Sequence, residues 1–134
     1  GVTNPTVPLV LANGAKCSIG GVWTNASSRT LKDGITELSA DDAIKTLTEL
    51  QPVTYTYKAE PEEKHAGFIA EDVPELVATE TRTELSPMDF VAVLTKVVQN
   101  QQKRLDEQDR HIEEQAKLLQ RQNELLEKLA ERLK

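Results

Sequence analysis

The C-terminal third of the chain carries the clearest pattern. From Val91 onward apolar residues return every seven positions, at Val91, Val98, Leu105, Ile112, Leu119, Leu126 and Leu133. Three residues after each of the first six stands a second position, filled by Leu94, Gln101, Gln108, Gln115, Gln122 and Leu129. The two sets are the a and d seam of a coiled coil, and the spacing predicts one helix over 86–134. Ser86 reads as its N-cap, Pro87 as its first helical residue and Asp89 as the partner in a capping box. Leu85 and Phe90 are spaced for a hydrophobic staple across that start, and no glycine or proline follows Pro87.

Four successive glutamines at d are informative. A helix packed on its own domain has no reason to put glutamine in every other core layer. In a symmetric oligomer each layer gathers identical amides, which can bond to one another or to trapped water, so their burial is tolerated. Such layers set register while lowering stability. The predicted partner is therefore the chain itself, as a parallel homotrimer in preference to a dimer. The interface would comprise Val98, Gln101, Leu105, Gln108, Ile112, Gln115, Leu119, Gln122, Leu126 and Leu129.

Upstream, residues 27–85 mix both periods. Ser39 with Asp42 three residues on marks a helix start. Ala43, Ile44, Leu47 and Leu50 then share a face, and Pro52 marks the end. Val53, Tyr55 and Tyr57 alternate with Thr54, Thr56 and Lys58, a strand pattern. The charged stretch from Ala59 to Lys64 contains Pro61 and reads as a loop. Gly67-Phe68-Ile69-Ala70 reads as the second strand of a hairpin, and Asp72 to Val77 as one helical turn around Pro74. Residues 1–26 are rich in Gly, Asn, Thr and Pro and hold a single charged residue, Lys16. The alternation of Val7, Leu9 and Leu11 with Pro8, Val10 and Ala12 suggests an extended segment packed against an upstream domain or sister chains. The expected fold is thus α+β: the end of a β-rich passenger over 1–26, a small mixed core over 27–85, and a long helix over 86–134 forming a parallel trimeric coiled coil.

Composition narrows the function. With 134 residues there is room for about one domain. The first residue is Gly1, and the first 15 residues lack the order of a signal peptide, so the chain reads as a piece of a longer protein. A net charge of -6 gives no positive face for nucleic acid or an anionic membrane. There is no run of about 18 apolar residues to span a bilayer. One cysteine and two histidines point to no metal site and no disulfide framework, and no cofactor is expected.

One segment offers chemistry. Ser27, Ser28 and Lys32 sit at the composition boundary, in Trp23-Thr24-Asn25-Ala26-Ser27-Ser28-Arg29-Thr30-Leu31-Lys32. A serine hydroxyl needs a base to act as a nucleophile, and a lysine amine can serve if desolvation keeps it neutral. From the residues alone the spacing is a very weak signal that chance often produces, and a serine-rich linker followed by a basic residue is the preferred reading.

Ser27, Arg29, Leu31, Lys32 and Ile35 are followed by three further ordered blocks. These are Gln51-Pro52-Val53-Thr54-Tyr55-Thr56-Tyr57-Lys58, then His65-Ala66-Gly67-Phe68-Ile69-Ala70-Glu71-Asp72-Val73, then Pro74-Glu75-Leu76-Val77. Together with the terminal coiled coil, over 27–134, they resemble the intramolecular chaperone auto-processing domain of phage tail spikes and endosialidases, the peptidase S74 type. That domain type also occurs in the myelin regulatory factor family. The resemblance implies a folding clamp that trimerises an upstream passenger of the same chain and is then released by self-cleavage. It implies Ser27 as nucleophile and Lys32 as its general base, with the scissile bond on the Ala26 or the Ser28 side of Ser27. The implied setting is a phage tail fibre or spike precursor in the bacterial cytoplasm, or a bacterial surface protein. The family's common Asp after the nucleophile is Ser28 here, which leaves a non-cleaving trimerisation and attachment module of the same fold as the alternative.

The remaining polar residues read more plainly. His65, at a strand start, is expected to be structural or merely exposed, with orientation of Lys32 or contact with the scissile region as the other roles open to it. Glu71 and Asp72, as strand neighbours, would point to opposite faces and form no acid/base pair. Glu60, Glu62 and Glu63 read as a solvated loop and Cys17 as a small buried hydrophobe. Trp23 is expected to anchor the junction between passenger and chaperone. Asn25-Ala26-Ser27 fits a glycosylation sequon, meaningful only in a eukaryotic secretory setting.

Overall fold

The computed structural model describes residues 9–133, which form two compact units divided between Glu37 and Leu38. Val7 and Pro8 of the expected extended segment lie outside the described residues.

The first unit is built from three two-residue strands, β1 (Leu9–Val10), β2 (Lys16–Cys17) and β3 (Trp23–Thr24), paired antiparallel in chain order. Leu9 faces Cys17, which in turn faces Trp23. Gly14 carries the first turn at φ +90°, a region open to glycine at no steric cost. There the Asn13 side chain accepts from the Ala15 amide at 3.1 Å. In the second turn the Ser18 hydroxyl accepts from the Val22 amide at 3.1 Å. Ala15 is buried, but Leu9, Val10, Leu11, Ile19, Val22 and Trp23 are all exposed. Cys17 is half-buried rather than buried, and its thiol donates to the Ser18 carbonyl.

The second unit contains α1 (Ala40–Glu49), β4 (Val53–Tyr57), β5 (Glu60–Gly67) and α2 (Pro87–Arg132). At the start of α1 the Ser39 hydroxyl accepts from the Asp42 amide at 3.0 Å and donates to the Asp42 carboxylate at 2.6 Å. The cap satisfies an amide that the first turn leaves without an intrahelical partner. The buried face of α1 is Ala43 and Thr46, flanked by Leu47 and Leu50, while Ile44 turns outward and is exposed.

The hairpin differs from expectation in its second strand. β5 begins at Glu60, so the segment expected to be a loop is the strand itself, and Phe68 and Ile69 lie beyond its end. Pairing runs from Val53 with Gly67 to Thr56 with Lys64, then jumps to Tyr57 with Glu60. The irregularity takes up Pro61, Glu62 and Glu63. A two-stranded hairpin consists only of edges, where a proline removes no ladder bond that a neighbour needs. Glu71 and Asp72 consequently sit in a turn, not in a strand. A 3-10 turn (Glu75–Val77) follows Pro74, and Arg82, at φ 51°, closes the loop. Its guanidinium donates to the Val73 carbonyl at 3.0 Å and pairs with Glu75.

α2 runs for 46 residues, about 69 Å at the ordinary helical rise. Ser86 is its N-cap, but no side-chain bond is made there. The expected capping box with Asp89 is replaced by a backbone bond from the Asp89 amide to the Ser86 carbonyl, 3.1 Å. Val93 and Val97 of α2 close on Ala43, Val73 and Val77, with Leu38, Leu85, Phe68 and Phe90 packed around them. Phe68 and Phe90 stack with centroids 4.8 Å apart. The seam residues Val91, Leu94, Val98, Leu105, Ile112, Leu119, Leu126 and Leu129 are all exposed. At 100° per residue, the core face of Val93 and Val97 and the seam of Val91, Leu94 and Val98 point roughly 110° apart, so one helix serves its own core and still presents a separate apolar stripe.

Candidate functional site

The residues expected to carry chemistry come together within the first unit. A single 3-10 turn (Arg29–Leu31) lies between Ser27 and Lys32. The Leu31 amide donates to the Ser28 carbonyl at 3.0 Å and the Lys32 amide to the Arg29 carbonyl at 3.2 Å. This turn folds a five-residue separation back on itself. As a result, Lys32 Nζ donates to Ser27 Oγ at 2.6 Å. Both side chains are exposed in the single chain. A protonated amine is a donor only, so an amine that is to take the proton of Ser27 must be neutral.

Ser28, which stands where the resemblance expects Asp, has a definite local task. It is the N-cap of the 3-10 turn: its hydroxyl accepts from the Thr30 amide at 3.3 Å and lies 2.9 Å from the Thr30 hydroxyl. Serine and aspartate are about equally good at this position, so the substitution preserves the turn that brings Ser27 and Lys32 together. Just upstream, the exposed Trp23 donates its ring N–H to the Asn25 side chain at 2.6 Å. Ala26 is half-buried.

His65 belongs to the second unit. It faces Tyr55 across the hairpin and stacks on it at 5.7 Å, with Tyr57 edge-on at 5.1 Å. Its Nε2 is buried and has no hydrogen-bond partner among the described residues. The Tyr57 hydroxyl, 3.4 Å from that of Tyr55, holds the Tyr55 phenol in its neutral form and raises its pKa above 10.0. The tyrosine pair also lines a groove of about 780 Å³, together with Phe68, Ile69, Leu85 and Phe90. Sequence reasoning missed this groove, because Phe68 and Ile69 read as strand residues. Among the described residues, no cluster of His, Cys, Asp and Glu could hold a metal. No helix among them is long and apolar enough to cross a membrane.

Comparison with known families bears directly on the Ser27 segment. Residues 27–82 match the peptidase S74 family model, described as a chaperone of endosialidase. The match begins at Ser27 itself, contains Lys32, and runs through α1, the hairpin and the Pro74 turn to Arg82. The matched segment thus spans the resemblance read from the motif blocks, except for the terminal helix. No curated protein and no solved structure matches the chain.

Proposed function

We propose that the chain is a C-terminal intramolecular chaperone that trimerises an upstream fibre or spike passenger, assists its folding, and is released by self-cleavage beside Ser27. The carrying observation is the 2.6 Å contact between Lys32 Nζ and Ser27 Oγ, at the start of the S74 segment.

The chemistry follows from the positions of the atoms. Neutral Lys32 takes the Ser27 hydroxyl proton as Oγ attacks a neighbouring carbonyl carbon. Attack on the Ala26 carbonyl closes a five-membered ring, whereas attack on the carbonyl of Ser27 itself would close a strained four-membered one. The Ala26–Ser27 bond is therefore the proposed scissile bond. Its C–N bond breaks, the proton on Lys32 passes to the leaving Ser27 nitrogen, and an ester joins Ala26 to Ser27 Oγ. Water then hydrolyses the ester, leaving a carboxylate on Ala26 and Ser27 as a new N-terminus.

Neutral lysine requires desolvation, and the exposed Lys32 of a single chain lacks it. A neighbouring copy lying over Lys32 would supply it, so cutting would await assembly. The exposed apolar residues of the first unit and the exposed seam of α2 support this view of a part that completes itself on its copies. Trimeric β-rich passengers have distant contacts and open edges while folding, and a local coiled coil aligns the chains first. Cutting afterwards removes the route back. The proposed setting is a phage tail fibre or spike precursor, or a bacterial surface protein. No cofactor enters the scheme.

A second reading, a trimerisation and attachment module that does not cut, is favoured by the solvent exposure of both Ser27 and Lys32. Intact mass of the purified protein beside Ser27→Ala separates the two. Self-cleavage predicts fragments of 26 and 108 residues from the unaltered chain alone. A single 14.9 kDa species in both samples selects the attachment module.

A further inference from the structure

Arg104 and Asp109 occupy defined places on the unpartnered stripe of α2. With Leu105 and Ile112 at a, Arg104 is a g residue and Asp109 the e residue of the following heptad. Asp109 has no basic residue three or four positions away on its own helix, where its neighbours are Asp106, Leu105, Ile112 and Glu113. Both Arg104 and Asp109 are exposed. Among the described residues neither makes an ion pair.

We infer that Arg104 of each copy pairs with Asp109 of the neighbouring copy, and that this pair locks α2 into a parallel, in-register self-assembly. The inference rests on the parallel trimeric reading above and specifies its register and the ion pair that holds it. Two observations on the same helix converge on it, and a third bears on the number of chains. In a parallel in-register coil, g faces the e residue five positions on in the next chain, which sets Arg104 against Asp109 and Leu125 against Ala130. In an antiparallel coil, g faces g and e faces e, and neither contact forms. Parallel packing also gathers Gln101, Gln108, Gln115 and Gln122 into layers of their own kind. Antiparallel packing would set each amide against a buried Leu or Ile and leave it unbonded. Finally, exposed Leu118 and Leu125 at g widen the C-terminal stripe beyond a and d, as suits three helices better than two.

A charge-reversal cycle in the 134-residue Ser27→Ala chain tests the pair, with assembly followed by sedimentation. Arg104→Glu or Asp109→Lys alone sets like charges against each other at every interface, raising the assembly midpoint concentration by about tenfold at low salt. The double variant restores the unaltered midpoint to within about twofold, and high salt shrinks all the differences. Asp109→Lys gains favourable partners in Asp106 and Glu113 on its own helix, so its loss of assembly is not a loss of helix. An assembled parent whose single variants are unchanged, or whose double variant is no better than the singles, overturns the pair and leaves the trimer standing. A parent that stays monomeric overturns both.

Discussion

Replacing Val93 with alanine separates the two faces of α2. Val93 is 2% exposed and packs in the cluster with Ala43, Val73, Val77 and Val97. Removing its two methyl groups costs about 1.6 kcal/mol of transfer free energy, at about 0.8 kcal/mol per group. The cavity left behind adds up to about 1 kcal/mol, because a core of small valines has little freedom to collapse. A loss of about 2 kcal/mol is a large share of the stability of so small a unit. The readout is hydrogen exchange of the α1 amides, which this cluster protects. Their exchange should quicken by roughly 30-fold, since each 1.4 kcal/mol is a factor of ten. Val91→Ala is the internal control: Val91 is 51% exposed on the seam, and its loss should change α1 exchange by less than about twofold. Equal acceleration by the two variants would refute the division of α2 into a core face and a seam.

Other consequences are equally specific. Ser39→Ala removes the cap on the Asp42 amide and should lower the stability of the second unit by about 1 kcal/mol in urea titration. Lys32→Arg keeps a donor beside Ser27 but cannot give up its proton, so the chain should stay whole by intact mass where the unaltered protein is cut. The raised Tyr55 pKa means that the folded hairpin holds the phenol proton more tightly than the unfolded chain does. That contribution is complete below the ordinary tyrosine range and is lost as pH rises through the folded value. Tyr57→Phe should bring the phenolate absorbance titration of Tyr55 back toward 10.0, and an unmoved titration would remove Tyr57 as the cause.

Much of this fold is legible from local chemistry. Ser39 with Asp42 marks the start of α1, and the unbroken heptads mark α2, because caps and helical periodicity act over a few residues. The errors arise where tertiary context decides. Pro61 and its acidic neighbours look like a loop, yet an edge strand with a register jump accommodates them. Thr46 rather than Ile44 turns inward because the orientation of α1 is set by Val93 and Val97, about fifty residues away. Ser86 looks like a capping-box residue, but the backbone bond from Asp89 takes over that role. The spacing of Ser27 and Lys32 is unremarkable by itself. The motif blocks that resemble S74 drew attention to it, and the intervening 3-10 turn provides the geometry. The groove beside Tyr55 and Tyr57 gave no local signal, being made of residues brought together only by the hairpin and the start of α2.

In the proposed mechanism, assembly switches on the cut at Ser27. Its most direct test is a time course of intact mass for the unaltered chain beside a variant carrying Leu105→Asp, Ile112→Asp and Leu119→Asp, with sedimentation confirming that the variant is monomeric. Cleavage after Ala26 is expected in the unaltered, associated chain, with the variant intact over the same period. A monomeric variant cut at the rate of the unaltered chain would contradict it.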